Sequence, residues 1–135
     1  YREVCWIDTD FEIRGDMTEI FSYIEPQKLT MVEDKPWSKR SGQLWHNSGI
    51  VAFRDKPPIL REWAQMCIEK PVRGDQEVLH GMLDSLRKAI YITEAPQKFN
   101  WMRLLTVDGA KMPKDIRGIH HTGAKGKAKI KELMG

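Results

Sequence analysis

Apolar residues along this chain fall into short runs that switch between a period of two and a period near 3.6. Val4-Cys5-Trp6-Ile7 is a compact apolar run ending in Asp8-Thr9-Asp10. The pattern predicts a buried strand, and two carboxylates spaced i, i+2 on a strand share one face at its C-terminal edge. Phe11 to Arg14 alternates briefly before Gly15. Asp16 and Glu19 then form a capping-box pair ahead of Ile20, Phe21 and Ile24, which predicts a short helix closed by Pro26. Lys28 to Val32 predicts a strand, and Glu33 to Gln43, with Pro36, Gly42 and several charges, predicts an exposed loop. Ile50-Val51-Ala52-Phe53 is the most strand-like run in the chain.

Helical spacing takes over after Pro57-Pro58, a pair suited to a first helical turn because missing N–H groups cost nothing there. Ile59, Leu60, Trp63, Met66 and Cys67 supply the buried stripe, and Pro71 closes the helix. Asp75 is the expected cap of the next one, where Val78, Leu79, Met82, Leu83, Leu86 and Ile90 keep helical spacing. Tyr91 to Thr93 predicts a strand, residues 96–101 an irregular segment, and residues 103–117 a mixed stretch broken by Gly109 and Pro113. Ile119 to Gly123 predicts a short strand or turn, and Ala124 to Met134 a terminal helix. Strands alternating with helices argue for an α/β sandwich with a mostly parallel or mixed sheet.

Composition narrows the class. With 135 residues, 41% of them hydrophobic, the chain supports one core and therefore one domain, residues 1–135. A net charge of +3 is too mild to imply nucleic acid. Cys5 and Cys67 both sit at apolar positions and read as reduced core thiols, so a cytoplasmic setting is expected. No run of about 18 apolar residues marks a membrane span.

Four stretches carry candidate chemistry. Asp8 and Asp10 are hard oxygen ligands that suit a divalent cation, which in turn suits a phosphate. Asn47-Ser48-Gly49 leads into the strongest strand, and its carboxamide offers donors and acceptors to a hydroxyl-rich ligand. Gly49 leaves room for close approach of a ligand or backbone. Gly74-Asp75-Gln76-Glu77 combines a helix start with a carboxylate and an amide, a place that orients a sugar or an anion. In Ile119-His120-His121-Thr122-Gly123, a histidine near a strand end is a borderline ligand able to complete a site begun by two Asp. Lys125, Lys127, Lys129 and Lys131 follow as i, i+4 neighbours that oppose one another unless an anion is near. Ordinary readings exist for each stretch: a strand-to-turn junction, a turn, a helix start, and a solvated basic face.

In this order the four stretches resemble the nucleotide-sugar glycosyltransferases of the GT-A fold, most closely the glycogenin-like and capsular-polysaccharide-type branches. That family shows Asp-x-Asp after a strand, then Asn-Ser/Ala-Gly before a strand, an Asp-Gln-Asp/Glu helix start, and a late His near Gly and Lys. The resemblance implies an α/β fold, the C-terminal part of a GT-A-like three-layer sandwich with a mixed sheet. It implies a sugar moved from a nucleoside-diphosphate sugar to an acceptor hydroxyl, saccharide or other, with Mn²⁺ or Mg²⁺ held by Asp8, Asp10 and His120. His121 is the alternate ligand. Asp8 would also meet the donor ribose, while Asn47, Ser48 and Gly49 would line the substrate site. Asp75 and Gln76 would orient the reacting groups, and Lys125 or Lys127 would meet the diphosphate. The family's lysine follows its glycine at a spacing that this chain does not reproduce, since position 126 is Gly.

In the family, βαβ units before Asp-x-Asp hold the base and ribose, whereas here seven residues precede Asp8. The expectations are an N-terminally truncated domain, a remnant without turnover, or a homo-oligomer that hides an otherwise free sheet edge. Two rivals remain. Haloacid-dehalogenase-like phosphatases also place Asp-x-Asp after a strand and use the first Asp as nucleophile. A non-catalytic binding module is the other, although the lysines lack the interleaved aromatics of a nucleic-acid stacking platform.

Overall fold

A computed structural model describes residues 1–135. Two mixed sheets organise it. The larger has the order β1-β4-β3-β5, formed by Glu3–Ile7, His46–Arg54, Leu29–Glu33 and Ile92–Glu94. β4 runs antiparallel to both β1 and β3, while β3 and β5 are parallel. The smaller sheet has the order β2-β7-β6, formed by Phe11–Ile13, Gly118–His120 and Trp101–Met102.

Side-chain alternation along the larger sheet creates two apolar layers. Ile50 and Ala52 of β4 face one side, where they meet Ile20, Phe99, Met102 and Ile119. Val51 of β4 and Leu29 and Met31 of β3 face the other, against Ile59, Trp63, Val78 and Leu79 of the helical layer. That layer consists of α2 (Pro58–Glu69) and α3 (Asp75–Met82), which follow α1 (Lys35–Ser41) in the chain. α4 (Ser85–Tyr91), α5 (Arg103–Val107) and α6 (Gly123–Met134) complete the set. No helix is long and apolar enough to cross a membrane.

Several elements differ from the sequence expectation. β1 is an edge strand, not a buried one, and it ends at Ile7, with Asp8 to Asp10 turning towards the second sheet. Trp6 is 60% exposed and Cys5 is half-buried, its thiol pushed up to about 11 by burial. The loop expected from Glu33 to Gln43 contains α1. Asp34 caps it by accepting from the Trp37 N–H, Pro36 occupies its first turn, and Gly42 ends it in the left-handed region with φ 72°.

Asp16 and Glu19 do not form a capping box. Asp16 instead accepts from the Thr18 N–H and hydroxyl at the head of a 3₁₀ turn, while Glu19 pairs with Lys98 and Arg117. The single helix expected after Asp75 is two. Asp84 starts α4 by accepting from the Arg87 N–H, which rotates Leu86 and Ile90 out to solvent. Gly74, not Asp75, holds the N-cap position of α3.

Candidate metal and sugar-nucleotide site

Chain reversal between the sheets brings the chemistry together. The Asp8 N–H donates to Gly49 O at 2.9 Å, extending the β1–β4 ladder by one residue. The Asp8-Thr9-Asp10 turn then delivers the chain to β2, whose Phe11 pairs with His120 of β7. The His121 N–H donates to Asp10 O, so the end of β7 lies beside the turn. Topology alone therefore sets Asp8, Asp10 and His120 side by side.

Asp8, Asp10 and His120 each offer a ligand atom, and these atoms all lie within 4.8 Å of one another. His120 Nε2 stands 2.8 Å from Asp10 Oδ1 and 3.8 Å from Asp8 Oδ2. The Trp6 indole N–H donates to Asp8 Oδ1 at 2.8 Å and holds that carboxylate in place.

Asn47 decides the state of the imidazole. Its Oδ1 accepts from the Gly49 N–H at 2.8 Å and from Asn100 Nδ2 at 2.9 Å, while its Nδ2 donates to Asp34 Oδ2 at 3.0 Å. A backbone donor on one end and a carboxylate on the other fix which end of the amide is oxygen. His120 Nδ1 lies 3.0 Å from that oxygen and so carries a proton. That leaves Nε2 as the nitrogen that faces Asp10, free either to donate to its carboxylate or to join both Asp side chains as a metal ligand. Two carboxylates and an imidazole whose second nitrogen is already bonded form a donor set that fits a divalent cation of the Mn²⁺ or Mg²⁺ kind.

These three residues line a cleft of about 660 Å³, whose wall includes Asp34, Asn47, Gln76 and Thr122. Asp34, placed in a loop by the sequence pattern, is the buried hub that reasoning from motifs missed. Its Oδ2 accepts from both Asn47 Nδ2 and Gln76 Nε2, the latter at 2.8 Å, and its Oδ1 caps α1. Gln76 Oε1 in turn accepts from the Ser48 N–H at 3.2 Å.

The remaining sequence candidates are spread more widely. Gly49 faces the His120 ring, which occupies the space that a Cβ would need. Ser48 lies outside the cleft lining, and its hydroxyl donates to Asp75 Oδ1 at 2.8 Å. Asp75 also lies outside the lining; the same oxygen accepts from the Gln76 N–H at 2.7 Å, and its carbonyl accepts from the Trp63 indole. Lys125 and Lys127 are exposed on α6 and do not reach the cleft wall. What α6 does bring to the wall is Thr122, its N-cap residue. His121 turns away to Glu12 at 2.8 Å.

No protein-family model matches the chain, and no curated protein matches its sequence. Solved structures do match its fold. Galactosyltransferase LgtC in complex with donor and acceptor sugar analogues aligns at 18% identity and a TM-score of 0.62, over 92% of this chain and 54% of that one. An active-site mutant of LgtC, with glutamine changed to glutamate, aligns at 17% identity and a TM-score of 0.63, over 100% of this chain and 61% of the other. Mouse xyloside xylosyltransferase 1 in its apo form aligns at 12% identity and a TM-score of 0.55, over 89% and 58%. The chain therefore has the fold of GT-A glycosyltransferases, and it spans 54% to 61% of the length of these structures.

Proposed function

We propose that this domain binds the diphosphate of a nucleoside-diphosphate sugar through a divalent cation and presents the sugar to an acceptor hydroxyl for glycosyl transfer. The observation that carries this reading is the convergence of Asp8, Asp10 and a His120 bonded through Nδ1 to Asn47, in the wall of one cleft. The GT-A-type fold around that cleft supports it.

In this reading Asp8 and Asp10 supply two anionic ligands, and His120 Nε2 supplies a neutral one held in orientation by Asn47. A cation bound there would supply charge neutralisation for the departing nucleoside diphosphate. Thr122 places the N-terminus of α6 on the same wall, where the free N–H groups of a first turn favour phosphate oxygens. That assigns to the helix end the task that the sequence pattern gave to Lys125 and Lys127. Gln76 is the amide best placed to orient a sugar hydroxyl, since it lines the cleft and is braced by Asp34 and the Ser48 N–H. Asp75 acts on Gln76 from behind through the Ser48 hydroxyl and the Gln76 N–H. The fold shared with GT-A glycosyltransferases and the histidine beside both carboxylates favour this reading over the phosphatase alternative.

A thermal-shift screen of UDP, GDP and ADP, each with and without Mn²⁺, tests the reading. Ligand that binds only the native state raises stability by about 2.7 kcal/mol at a hundredfold excess over its dissociation constant. The expected result is a rise in melting temperature for at least one nucleotide that requires the metal. No metal-dependent rise with any of them contradicts it.

A further inference from the structure

Beyond the ligand set, the cleft wall carries two tryptophans that the reading above leaves without a task. Trp37 of α1 is 50% exposed, and Trp45 immediately precedes β4; both line the cleft that holds Asp8, Asp10 and His120. Their ring centroids are 6.0 Å apart and their planes are inclined by 33°, so together they form one angled aromatic wall.

The wall is braced from several directions. His80 stacks on Trp45 at 3.7 Å with planes 7° apart. Lys88 Nζ, itself buried, lies 2.8 Å from His80 Nδ1, and Gln43 Oε1 lies 2.9 Å from His80 Nε2. Trp37 is held through its helix. Asp34 caps α1 at one end, and Arg40 makes two 2.9 Å bonds to Asp108 at the other. An indole left half in water on a helix secured at both ends is a preorganised apolar surface, which lowers the ordering cost of binding.

Its position follows from the hydrogen-bond chain. Asp10 meets His120, His120 meets Asn47, Asn47 meets Asp34, and Asp34 bonds both the Trp37 N–H and, through its own N–H, Trp45 O. Gln76 joins this chain at Asp34. The backbones of both tryptophans are thus tied to Asp34, which also holds Gln76, and this chain links them to the candidate metal residues in the same cleft lining. A pyranose has an apolar face of C–H bonds and a rim of hydroxyls, which matches an aromatic wall bordered by Gln76 and Asp34.

Building on the glycosyl-transfer reading, we propose that Trp37 and Trp45 form the stacking platform for the pyranose ring of a saccharide acceptor. Trp37 supplies the contact area, Trp45 the fixed second plane, and His80 is a positioning residue behind it.

Nuclear magnetic resonance of the ¹⁵N-labelled indole groups tests this, with Mg²⁺ present and the methyl glycosides of galactose, glucose and xylose as probes. Trp37→Phe identifies the Trp37 signal. At least one glycoside should move that signal. Its affinity should fall about tenfold in Trp37→Ala and be largely kept in Trp37→Phe, a loss of about 1.4 kcal/mol. Calorimetry on Trp37→Ala should show Mg²⁺-dependent binding of UDP, GDP or ADP unchanged from the wild type. If nucleotide binds but no glycoside moves the Trp37 signal, the platform assignment is overturned while the metal-site reading stands. If nucleotide alone moves it, the wall stacks a nucleobase and the acceptor assignment is likewise overturned. If wild-type protein binds no nucleotide, the underlying site reading falls, and this inference falls with it.

Discussion

Asn47 Oδ1 accepts a hydrogen bond from His120 Nδ1 at 3.0 Å, and this contact determines which imidazole nitrogen is left to face Asp10. The same oxygen satisfies the Gly49 N–H and Asn100 Nδ2, so one buried amide sets the tautomer and anchors the strand beneath it. Asn47→Ala removes the acceptor for all three donors. Each buried donor left unpaired costs about 1–3 kcal/mol, so the variant should be clearly destabilised in denaturant melts. Metal affinity, read by Mn²⁺ titration of the folded fraction, should fall about 10- to 100-fold, as expected for loss of a partner behind a ligand.

Gly49 tests the same geometry from the other side. The His120 ring and Asn47 Oδ1 occupy the space in which a Cβ would sit. Gly49→Ala should force the ring off its Asp10 contact at a cost of about 1–3 kcal/mol from overpacking. The readout is loss of Mn²⁺ binding in a protein whose circular dichroism is native.

Asp34 joins the cap of α1 to Asn47 and Gln76 through its two oxygens. Loss of an N-cap costs about 0.5–2 kcal/mol, and two further donors lose their acceptor. Asp34→Ala should therefore lower the melting temperature more than Asp16→Ala, whose carboxylate serves only an exposed turn. Equal effects in a thermal melt would show that the hub is not structural.

Stability should also respond to pH away from the candidate metal site. Burial holds the His46 imidazole below its ordinary value, against the pull of Glu94 Oε1 at 3.0 Å. Burial and the Lys88 ammonium do the same to His80, and burial lowers Lys88 itself. A histidine with a depressed folded pKa is neutral in the native state while the unfolded chain still binds a proton. Its stability contribution is complete above the ordinary histidine value of about 6.5 and is lost as pH falls towards the depressed one. Denaturant melts from pH 7.5 to pH 5 should show falling stability, and His46→Gln should flatten the slope. An unchanged slope in that variant contradicts the assignment.

Much of this site was legible as spacing. Asp-x-Asp after an apolar run, Asn47 before a strong strand and His120 near a strand end are residues that the fold brings into one cleft lining. Charge alone does not say where Lys125 and Lys127 lie relative to the cleft. α6 leaves both exposed and brings its N-cap residue Thr122 to the cleft lining. Gly49 predicts close approach of a ligand or backbone, and the space is filled by the ring of a histidine that is 71 residues away in sequence. No local pattern reports that.

Other differences were present as signals but outweighed. Asp34, Pro36 and Gly42 are an N-cap, a first-turn proline and a helix-ending glycine, which together spell α1. Their breakers and charges were instead read as a loop, and the aromatic wall on that helix went unseen with it. Asp84 likewise interrupts an apolar periodicity that runs smoothly through it, because a capping residue ends one helix phase and starts another. The edge position of β1 was not deducible from its composition. Val4, Cys5 and Ile7 would suit a central strand equally well.

Calorimetric titration with Mn²⁺ and the nucleoside diphosphate that stabilises the protein most, comparing wild type with Asp10→Ala, bears most directly on the central claim. Asp10 supplies one of the two carboxylates and the 2.8 Å partner of His120 Nε2. The account predicts nucleotide binding by the wild type only with metal, and loss of that metal dependence in Asp10→Ala while the variant stays folded. Equal metal-dependent binding by both proteins would contradict it.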